Sequence, residues 1–253
     1  MLGFNSAWIP NSTLKKILRT RKNPIVIDVG CNIGDFSESI VRQNNTSIIY
    51  AFDLHEGLTS ILNKKFTNFQ FYFKAIALSD RRGISGINLN KTNDRKAYLS
   101  DTKNLKRIKV DTLDGSLRKL RLTKIIILKI DTEGNDFKVL KGAIDTLKIT
   151  EIIIFEIMYK LLQNAADPNT VINYLRDHGF KYFYRSTKFF GLVPISKIQP
   201  WEVATQNIVA CKNEIDKYKT RWYSVNNWLG SSVGMSERLK IVRSPVRSRP
   251  KPL

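Results

Sequence analysis

The sequence IVIDVGCNIGDFS at residues 25–37 joins a short apolar segment to a glycine-containing turn and then to the start of a helix. The apolar segment is predicted to be a buried strand that ends near Asp28, and the turn runs from Gly30 to Gly34. Glycine lets the backbone turn tightly and lets a ligand approach it, so the pattern indicates the ligand cradle of a Rossmann-like fold. The spacing is G-x-x-x-G, with Asn32 between the glycines, whereas a dinucleotide-binding turn needs G-x-G-x-x-G. A pyrophosphate is therefore poorly matched to this turn.

Six further apolar, β-branched segments follow the first and are each predicted to be strands. Most are continuous apolar runs, which favour parallel strands covered on both faces. Helical patterns separate most of them, so the chain is predicted to be an α/β protein with a doubly wound, mostly parallel sheet. The predicted strands are 25–30, 47–53, 69–78, 125–131, 151–157, 181–186 and 206–212, and the predicted helices are 12–22, 35–43, 56–65, 136–148 and 168–178.

Composition along the chain predicts three regions. Residues 1–23 contain an amphipathic helix, 24–215 form the α/β domain, and 216–253 form a basic tail rich in Ser, Arg and Pro that is predicted to be disordered. Inside the domain, the polar interval 79–124 is predicted to hold a short hairpin and then a helix near 113–120. An insertion there lies at the carboxyl end of the sheet, where ligands bind in open α/β folds.

A carboxylate also lies at the end of the second predicted strand. Asp53 ends the second strand, about 20 residues after the glycine turn, and a carboxylate there can accept both hydroxyls of an adenosine ribose. The turn and Asp53 together favour binding of S-adenosylmethionine (SAM), with Asp28 available to its amino group.

The segment ILKIDTEGNDFKVLKGA at 127–143 brings further ionisable groups to the end of a central strand. Lys129, Asp131 and Glu133 lie there, and Glu156 ends the next strand. Charged groups at a buried strand end are costly unless they are used, so this cluster indicates a reaction cleft.

The motifs VIDVGCNIGDFS, YAFD, AIALSDRRG, VDTLDG, LKIDTEGNDFKVLKGA and IIFE occur in this order, and the set resembles the FkbM family of methyltransferases. The resemblance covers roughly residues 24–212. It implies the class I methyltransferase fold, a seven-stranded, mostly parallel, Rossmann-like sheet whose last strand is antiparallel. It also implies a SAM cofactor. The site residues that it implies are Asp28, Gly30, Asn32 and Gly34 at the methionyl end, Asp53 at the ribose, Ala77 to Asp80 beside the adenine, and Asp131 and Glu133 in the reaction cleft.

Such an enzyme aligns a nucleophilic oxygen with the sulfonium methyl group for an in-line displacement. An alcohol is a poor nucleophile, and because the chain has only two histidines, Asp131 and Glu133 are the candidate catalytic bases. Either acid can instead orient the acceptor or the cofactor. Lys129 and Glu156 are candidate substrate contacts. No metal site is predicted, although Asp131 and Glu156 could belong to one.

The predicted activity is O-methylation of a sugar, a glycan or another small polar metabolite. A formal net charge of +20 also suits an RNA or protein methyltransferase that uses a basic surface. The aromatic run that such enzymes use to hold a flipped base is missing, so nucleic acid is a less favoured partner. A non-catalytic Rossmann protein and an NAD-dependent dehydrogenase are less favoured still.

The two cysteines, Cys31 and Cys211, are predicted to be reduced thiols of a cytoplasmic protein. No apolar run is long enough to span a membrane, and the N-terminus does not have the pattern of a secretory signal.

Overall fold

The computed structural model is built on an eight-stranded sheet, and it describes residues 8–88, 98–100, 106–158, 166–187, 191–195 and 205–215. In chain order the strands are β1 (Ile25–Val29), β2 (Ile48–Asp53), β3 (Gln70–Ala75), β4 (Ala77–Leu78), β5 (Gly83–Asn88), β6 (Tyr98–Ser100), β7 (Lys106–Asp111), β8 (Ile125–Ile130), β9 (Thr150–Met158), β10 (Tyr182–Thr187), β11 (Gly191–Pro194) and β12 (Thr205–Cys211). The helices are α1 (Asn11–Leu18), α2 (Asp35–Gln43), α3 (Leu58–Lys65), α4 (Leu113–Leu117), α5 (Asp136–Lys141), α6 (Ile144–Ile149) and α7 (Pro168–Asp177), and a 3-10 turn spans Arg118–Leu120.

The strand order of the main sheet is β11-β10-β12-β9-β8-β1-β2-β3. The five strands from β9 to β3 run parallel, while β12 is antiparallel to both β9 and β10. The predicted doubly wound, mostly parallel sheet with an antiparallel last strand is therefore confirmed. The structure adds β11 to the seven predicted strands, because β11 pairs with the outer edge of β10.

Apolar residues fill both faces of this sheet, as the continuous apolar strands require. On one face, α4 to α7 pack against the sheet through Leu113, Leu140, Leu147 and Leu175. On the other face, α1 to α3 contribute residues such as Leu14, Ile17, Phe36, Ile40 and Leu62. The amphipathic N-terminal helix was predicted at 12–22 and is shorter, and it begins after Pro10 without a side-chain cap.

The prediction of a single strand at 69–78 was wrong, because the chain forms two strands there. The first, β3, is the parallel edge of the main sheet. The second, β4, pairs with β7 in a separate four-stranded sheet of order β4-β7-β5-β6. This small sheet contains the predicted hairpin of the interval 79–124, and α4 follows it as expected. The apolar run continues through both strands, so composition alone does not mark the change of partner.

The helix predicted at 136–148 is divided at Gly142 into α5 and α6. A Cβ atom at Gly142 would overlap the backbone carbonyl oxygen of Ser79, so the chain passes very close to the residue that follows β4. This contact between distant segments breaks a pattern that is continuous in the sequence.

The predicted tail at 216–253 lies outside the described residues. None of the helices in the described part of the chain is long and apolar enough to cross a membrane.

Candidate active site

A cleft opens at the carboxyl ends of β1, β2 and β8, where the strands of a parallel sheet place ligands. Its walls come from the N-terminal segment, the glycine turn, the residues after β2, the start of β4 and the residues after β8. The lining residues are Trp8, Val29 to Ile33, Asp35, Phe52 to His55, Ile76 to Leu78, Lys129, Asp131 to Glu133 and Asn135.

The glycine turn has a left-handed backbone at Gly30, with φ +70°, and at Gly34, with φ +79°. A Cβ atom at Gly30 would overlap the carbonyl oxygen of Asp131, and one at Gly34 would lie 2.6 Å from the ring of Phe66. We expected both glycines to make room for a ligand. Each glycine makes room for another part of the protein; Gly30 also lines the cleft, whereas Gly34 does not.

The Asp53 carboxylate ties the turn to the end of β2. Its Oδ2 accepts a hydrogen bond from the Asn32 backbone N–H at 2.9 Å, and its Oδ1 accepts one from the His55 N–H at 3.0 Å. A carboxylate has about four acceptor sites, so both oxygens keep capacity for further donors. Asp53 therefore reaches the cleft in a fixed orientation, with lone pairs available to a ligand.

The Asp28 carboxylate is completely buried below this turn. Its Oδ2 accepts a hydrogen bond from the Ser37 hydroxyl at 2.6 Å, and its Oδ1 lies 3.2 Å from the Lys129 ammonium. It does not line the cleft. We expected Asp28 to be available to a cationic group of the ligand, but in this structure its cationic partner is Lys129.

The Lys129 ammonium is the centre of a buried charge cluster, and the residue is only 1% exposed. It donates to the Gly30 carbonyl oxygen at 2.8 Å and lies 3.2 Å from Asp28 and 3.4 Å from Asp131. Burial alone would lower the pKa of Lys129, but the two carboxylates outweigh burial and hold this pKa above its ordinary value.

The Asp131 carboxylate lies at the end of β8 and lines the cleft. Its Oδ2 accepts a hydrogen bond from the indole N–H of Trp8 at 3.0 Å and also faces the Lys129 ammonium. The Trp8 ring lies 5.2 Å from that ammonium and packs edge-to-face on Phe36, which holds the N-terminal segment against the cleft. Nothing in the local pattern of residues 1–10 pointed to this role for Trp8.

The other end of the cleft is formed by Ala77 and Leu78, both buried in β4. The Asn135 side-chain amide donates to the Leu78 carbonyl oxygen at 2.8 Å and so fixes this strand beside the β8 end. Asp80 was predicted to lie beside the adenine, but it turns to Lys141 at 3.3 Å and does not line the cleft. Burial would raise the pKa of Asp80, and Lys141 reverses the direction and lowers it.

The methyltransferase FkbM domain model matches residues 28–182, more than half of the 253-residue chain. The chain belongs to the FkbM methyltransferase family. This membership makes it a methyltransferase and implies a SAM-type cofactor. No curated protein matches the chain in sequence.

Solved structures similar to this FkbM methyltransferase include three other methyltransferases. Precorrin-6y C5,15-methyltransferase from Geobacter metallireducens GS-15 has 12% identity and a TM-score of 0.41, covering 80% of this chain and 87% of its own. A TehB-like SAM-dependent methyltransferase from Corynebacterium glutamicum has 10% identity and a TM-score of 0.45, covering 80% and 88%. TrmK of M. capricolum, in complex with S-adenosyl-homocysteine, has 14% identity and a TM-score of 0.44, covering 79% and 68%. The family match, not these low similarities, decides the assignment.

The FkbM methyltransferase also holds an acid that sequence reasoning missed. Asp136, at the start of α5, is buried, and its Oδ1 accepts a hydrogen bond from the Thr132 N–H at 3.2 Å. Its Oδ2 has no hydrogen-bond partner in the described part of the chain. Burial, together with the charges of Asp131 and Glu156, raises the pKa of Asp136 to about 7. Its position in the acidic segment after β8 was the available signal, and it was interpreted only as the start of a helix.

Two further predicted residues of the FkbM methyltransferase are Glu133, which follows β8, and Glu156, which lies on β9. Glu133 lines the cleft and has a left-handed backbone, with φ +52°. Glu156 is on β9 and acts on Asp136 through its charge. Among the described residues, no three His, Cys, Asp or Glu side chains are grouped so that they could hold a metal ion.

Proposed function

We propose that this FkbM methyltransferase transfers the methyl group of SAM to an oxygen of a sugar, a glycan or another small polar metabolite. The observation that carries the proposal is one continuous cleft that is lined by Asp53, Asp131 and Glu133. A nucleoside and a hydroxyl acceptor each need polar side chains that accept hydrogen bonds, and this cleft contains such side chains for both.

The described residues fit the cofactor. Asp53 is held by two backbone N–H groups and keeps lone pairs for ribose hydroxyls. Ala77 and Leu78 offer an apolar surface for the adenine. The turn at Gly30 is packed directly on the end of β8, so the methionyl end would meet the acidic end of the cleft.

The chemistry supplied by SAM, when bound, is an electrophilic methyl group on a sulfonium. The chain must orient an acceptor hydroxyl and take its proton, and carboxylates at the acidic end can do both. We propose that Glu133, which lines the cleft, serves the acceptor hydroxyl, that Asp131 orients a bound group beside it, and that the buried Lys129 acts through Asp131. Glu156 supplies a further charge close by.

The charge distribution favours a neutral acceptor over nucleic acid. The whole chain carries a net charge of +20, but the methyl-transfer end of the cleft contains Asp131 and Glu133, with Asp136 and Glu156 close by. Phosphates would meet like charges there, whereas hydroxyl groups can donate hydrogen bonds to carboxylates. The basic surface is the one observation that favours RNA or protein as the acceptor instead.

Calorimetric titration with S-adenosylhomocysteine (SAH), run in parallel with NAD⁺, tests the cofactor. We expect micromolar binding of SAH alone and a loss of at least 10-fold in Asp53→Ala. The matched control is Glu56→Ala, an exposed acid three residues further along the chain. Binding of NAD⁺, or no effect of Asp53→Ala, would contradict the proposal, provided that thermal unfolding shows the variant to be folded.

Transfer of tritium from methyl-labelled SAM tests the acceptor class. A panel of methyl glycosides of hexoses and deoxyhexoses is compared with total RNA. We expect label in the glycosides and at least a 10-fold lower rate for Glu133→Gln. Label in RNA alone would overturn the assignment to a sugar hydroxyl and leave the methyltransferase assignment in place.

A further inference from the structure

The carboxylate that precedes the glycine turn, that of Asp28, is not open to a ligand. Asp28 has no exposed surface, and its two oxygens face the Ser37 hydroxyl and the Lys129 ammonium. Opening this site to a ligand would separate a buried ion pair, which is strongly unfavourable. A cationic group in the cleft therefore needs another partner.

Asp131 is placed to be that partner. Its backbone N–H donates to the Val29 carbonyl oxygen at 3.0 Å, and its own carbonyl oxygen packs on Gly30, so it lies directly beside the turn. Its side chain lines the cleft and is 21% exposed. Of the two carboxylates that pair with Lys129, Asp131 is the one that lines the cleft.

The Asp131 carboxylate is also oriented. Both of its donors, the Trp8 indole N–H and the Lys129 ammonium, approach Oδ2. Its Oδ1 accepts no hydrogen bond from the residues that the structure describes. Two donors on one oxygen hold the group and leave the other oxygen for a third donor. One of these donors, Trp8, precedes the family domain, which begins at residue 28.

The charges around Lys129 favour a hydrogen-bond donor that is itself positively charged. Asp28, Lys129 and Asp131 together carry one net negative charge. The raised pKa of Lys129 keeps its ammonium charged, so the lysine and Asp28 neutralise one another and Asp131 supplies the excess charge. A primary ammonium group complements this excess.

We propose that Asp131, held by Trp8 and Lys129, binds the α-amino group of the methionyl part of the cofactor through Oδ1. The assignment rests on the proposed use of SAM and deepens it. It makes Asp131 a cofactor-binding residue and leaves Glu133 as the carboxylate that serves the acceptor hydroxyl.

Two ligands that differ only at this group provide the test. SAH is compared by calorimetry with its desamino analogue, in which hydrogen replaces the α-amino group. We expect Asp131→Asn to weaken SAH binding at least 10-fold and to change binding of the analogue less than 2-fold, because a charge-assisted hydrogen bond is lost only with SAH. The Asp53→Ala control should weaken both ligands by a similar factor.

A second variant guards against a general loss of structure. Trp8→Phe keeps an aromatic ring against Phe36 but removes the indole N–H. We expect it to weaken SAH binding about 3-fold, as the loss of one hydrogen bond that orients the carboxylate would do, and to leave binding of the analogue unchanged.

The outcomes separate the two proposals. If the unmodified protein binds neither ligand, the use of SAM fails and this assignment fails with it. If it binds SAH but Asp131→Asn weakens both ligands equally, or neither, only the assignment of Asp131 is overturned.

Discussion

At the scale of single residues, the site depends on a lysine that has almost no contact with water. Lys129 is held by two carboxylates and by the Gly30 carbonyl oxygen. Removing one partner of a buried ion pair leaves an uncompensated charge and costs about 3–5 kcal/mol. Lys129 was predicted to contact the substrate, and its burial favours a role in orienting Asp131.

Asp136 is a second buried ionisable residue of the site. Its raised pKa makes the stability of the protein depend on pH. Its pKa is raised from 3.8 to about 7, so the folded protein holds a proton that the unfolded chain loses between these values. The free energy of unfolding must therefore fall as the pH rises from about 4 to 7, by about 1.4 kcal/mol per pH unit, and this contribution is constant above that range. Asp136→Asn removes the titrating group and should remove this part of the slope.

Urea unfolding of both proteins at pH 5, 6, 7 and 8 measures the effect. The stability of Asp136→Asn relative to the unmodified protein should increase by about 2.6 kcal/mol between pH 5 and pH 8. The groups that act on Asp136, namely Asp131 and Glu156, are present in both proteins. Asp145→Asn, at an exposed acid, should show no such change, and parallel pH profiles for Asp136→Asn and the unmodified protein would contradict the prediction.

At the scale of elements, two local patterns are divided by contacts with distant parts of the chain. The run 69–78 divides because β4 pairs with β7, and the pattern 136–148 divides where Gly142 packs against Ser79. Both divisions bring β4 and the residue after it against α5. Gly142 packs against Ser79 at the end of this helix, and Asn135 donates to the Leu78 carbonyl oxygen at its start. The part of the cleft that is lined by Ala77 and Leu78 is therefore shaped by this junction.

This junction predicts an unusual response to a Gly→Ala substitution. A new Cβ atom at Gly142 overlaps the Ser79 carbonyl oxygen although its φ of −85° suits alanine, so Gly142→Ala should lower stability by about 1–3 kcal/mol. At Gly57, which also has a helical φ, no atom lies within 4 Å of the new Cβ, and Gly57→Ala should be neutral or slightly stabilising.

Chemical unfolding measures the stability of Gly142→Ala and Gly57→Ala, and SAH titration measures the affinity of each variant for the ligand. Gly142→Ala should also weaken SAH binding, because β4 lines the cleft. Equal stability of the two variants would show that the contact between Gly142 and Ser79 is not a close one.

At the scale of the whole molecule, the sign of the net charge and the sign of the charges in the cleft are opposite. A chain with +20 attracts polyanions without regard to their sequence, and such binding releases counterions and is weakened by salt. The acidic end of the cleft does not share this attraction. Binding to RNA and binding of the cofactor should therefore respond differently to salt.

Fluorescence anisotropy with a labelled single-stranded RNA measures the first response, and SAH calorimetry measures the second. Between 50 and 200 mM NaCl we expect RNA affinity to fall roughly 10-fold or more and SAH affinity to change less than 2-fold. RNA affinity that resists salt and changes in Glu133→Gln would place nucleic acid in the cleft and favour the alternative acceptor.

The sequence by itself determined the sheet, the order of its segments and the family. Strand and helix patterns depend on the side chains of neighbouring residues, so apolar runs such as 25–30 and 125–131 indicated the buried parallel strands correctly. The placement of Asp53, Asp131 and Glu133 at one edge also followed from the sequence, because the carboxyl ends of parallel strands meet there.

The tertiary structure alone decided which groups these carboxylates contact. Lys129 meets Asp28 from 101 positions away along the chain, and Trp8 meets Asp131 across 123 positions, so no local pattern encodes either contact. The sequence placed Asp28 near the ligand, and the fold buries it under a lysine. A buried charge must find a partner wherever the packed chain supplies one, and that choice is made by the whole fold rather than by any segment.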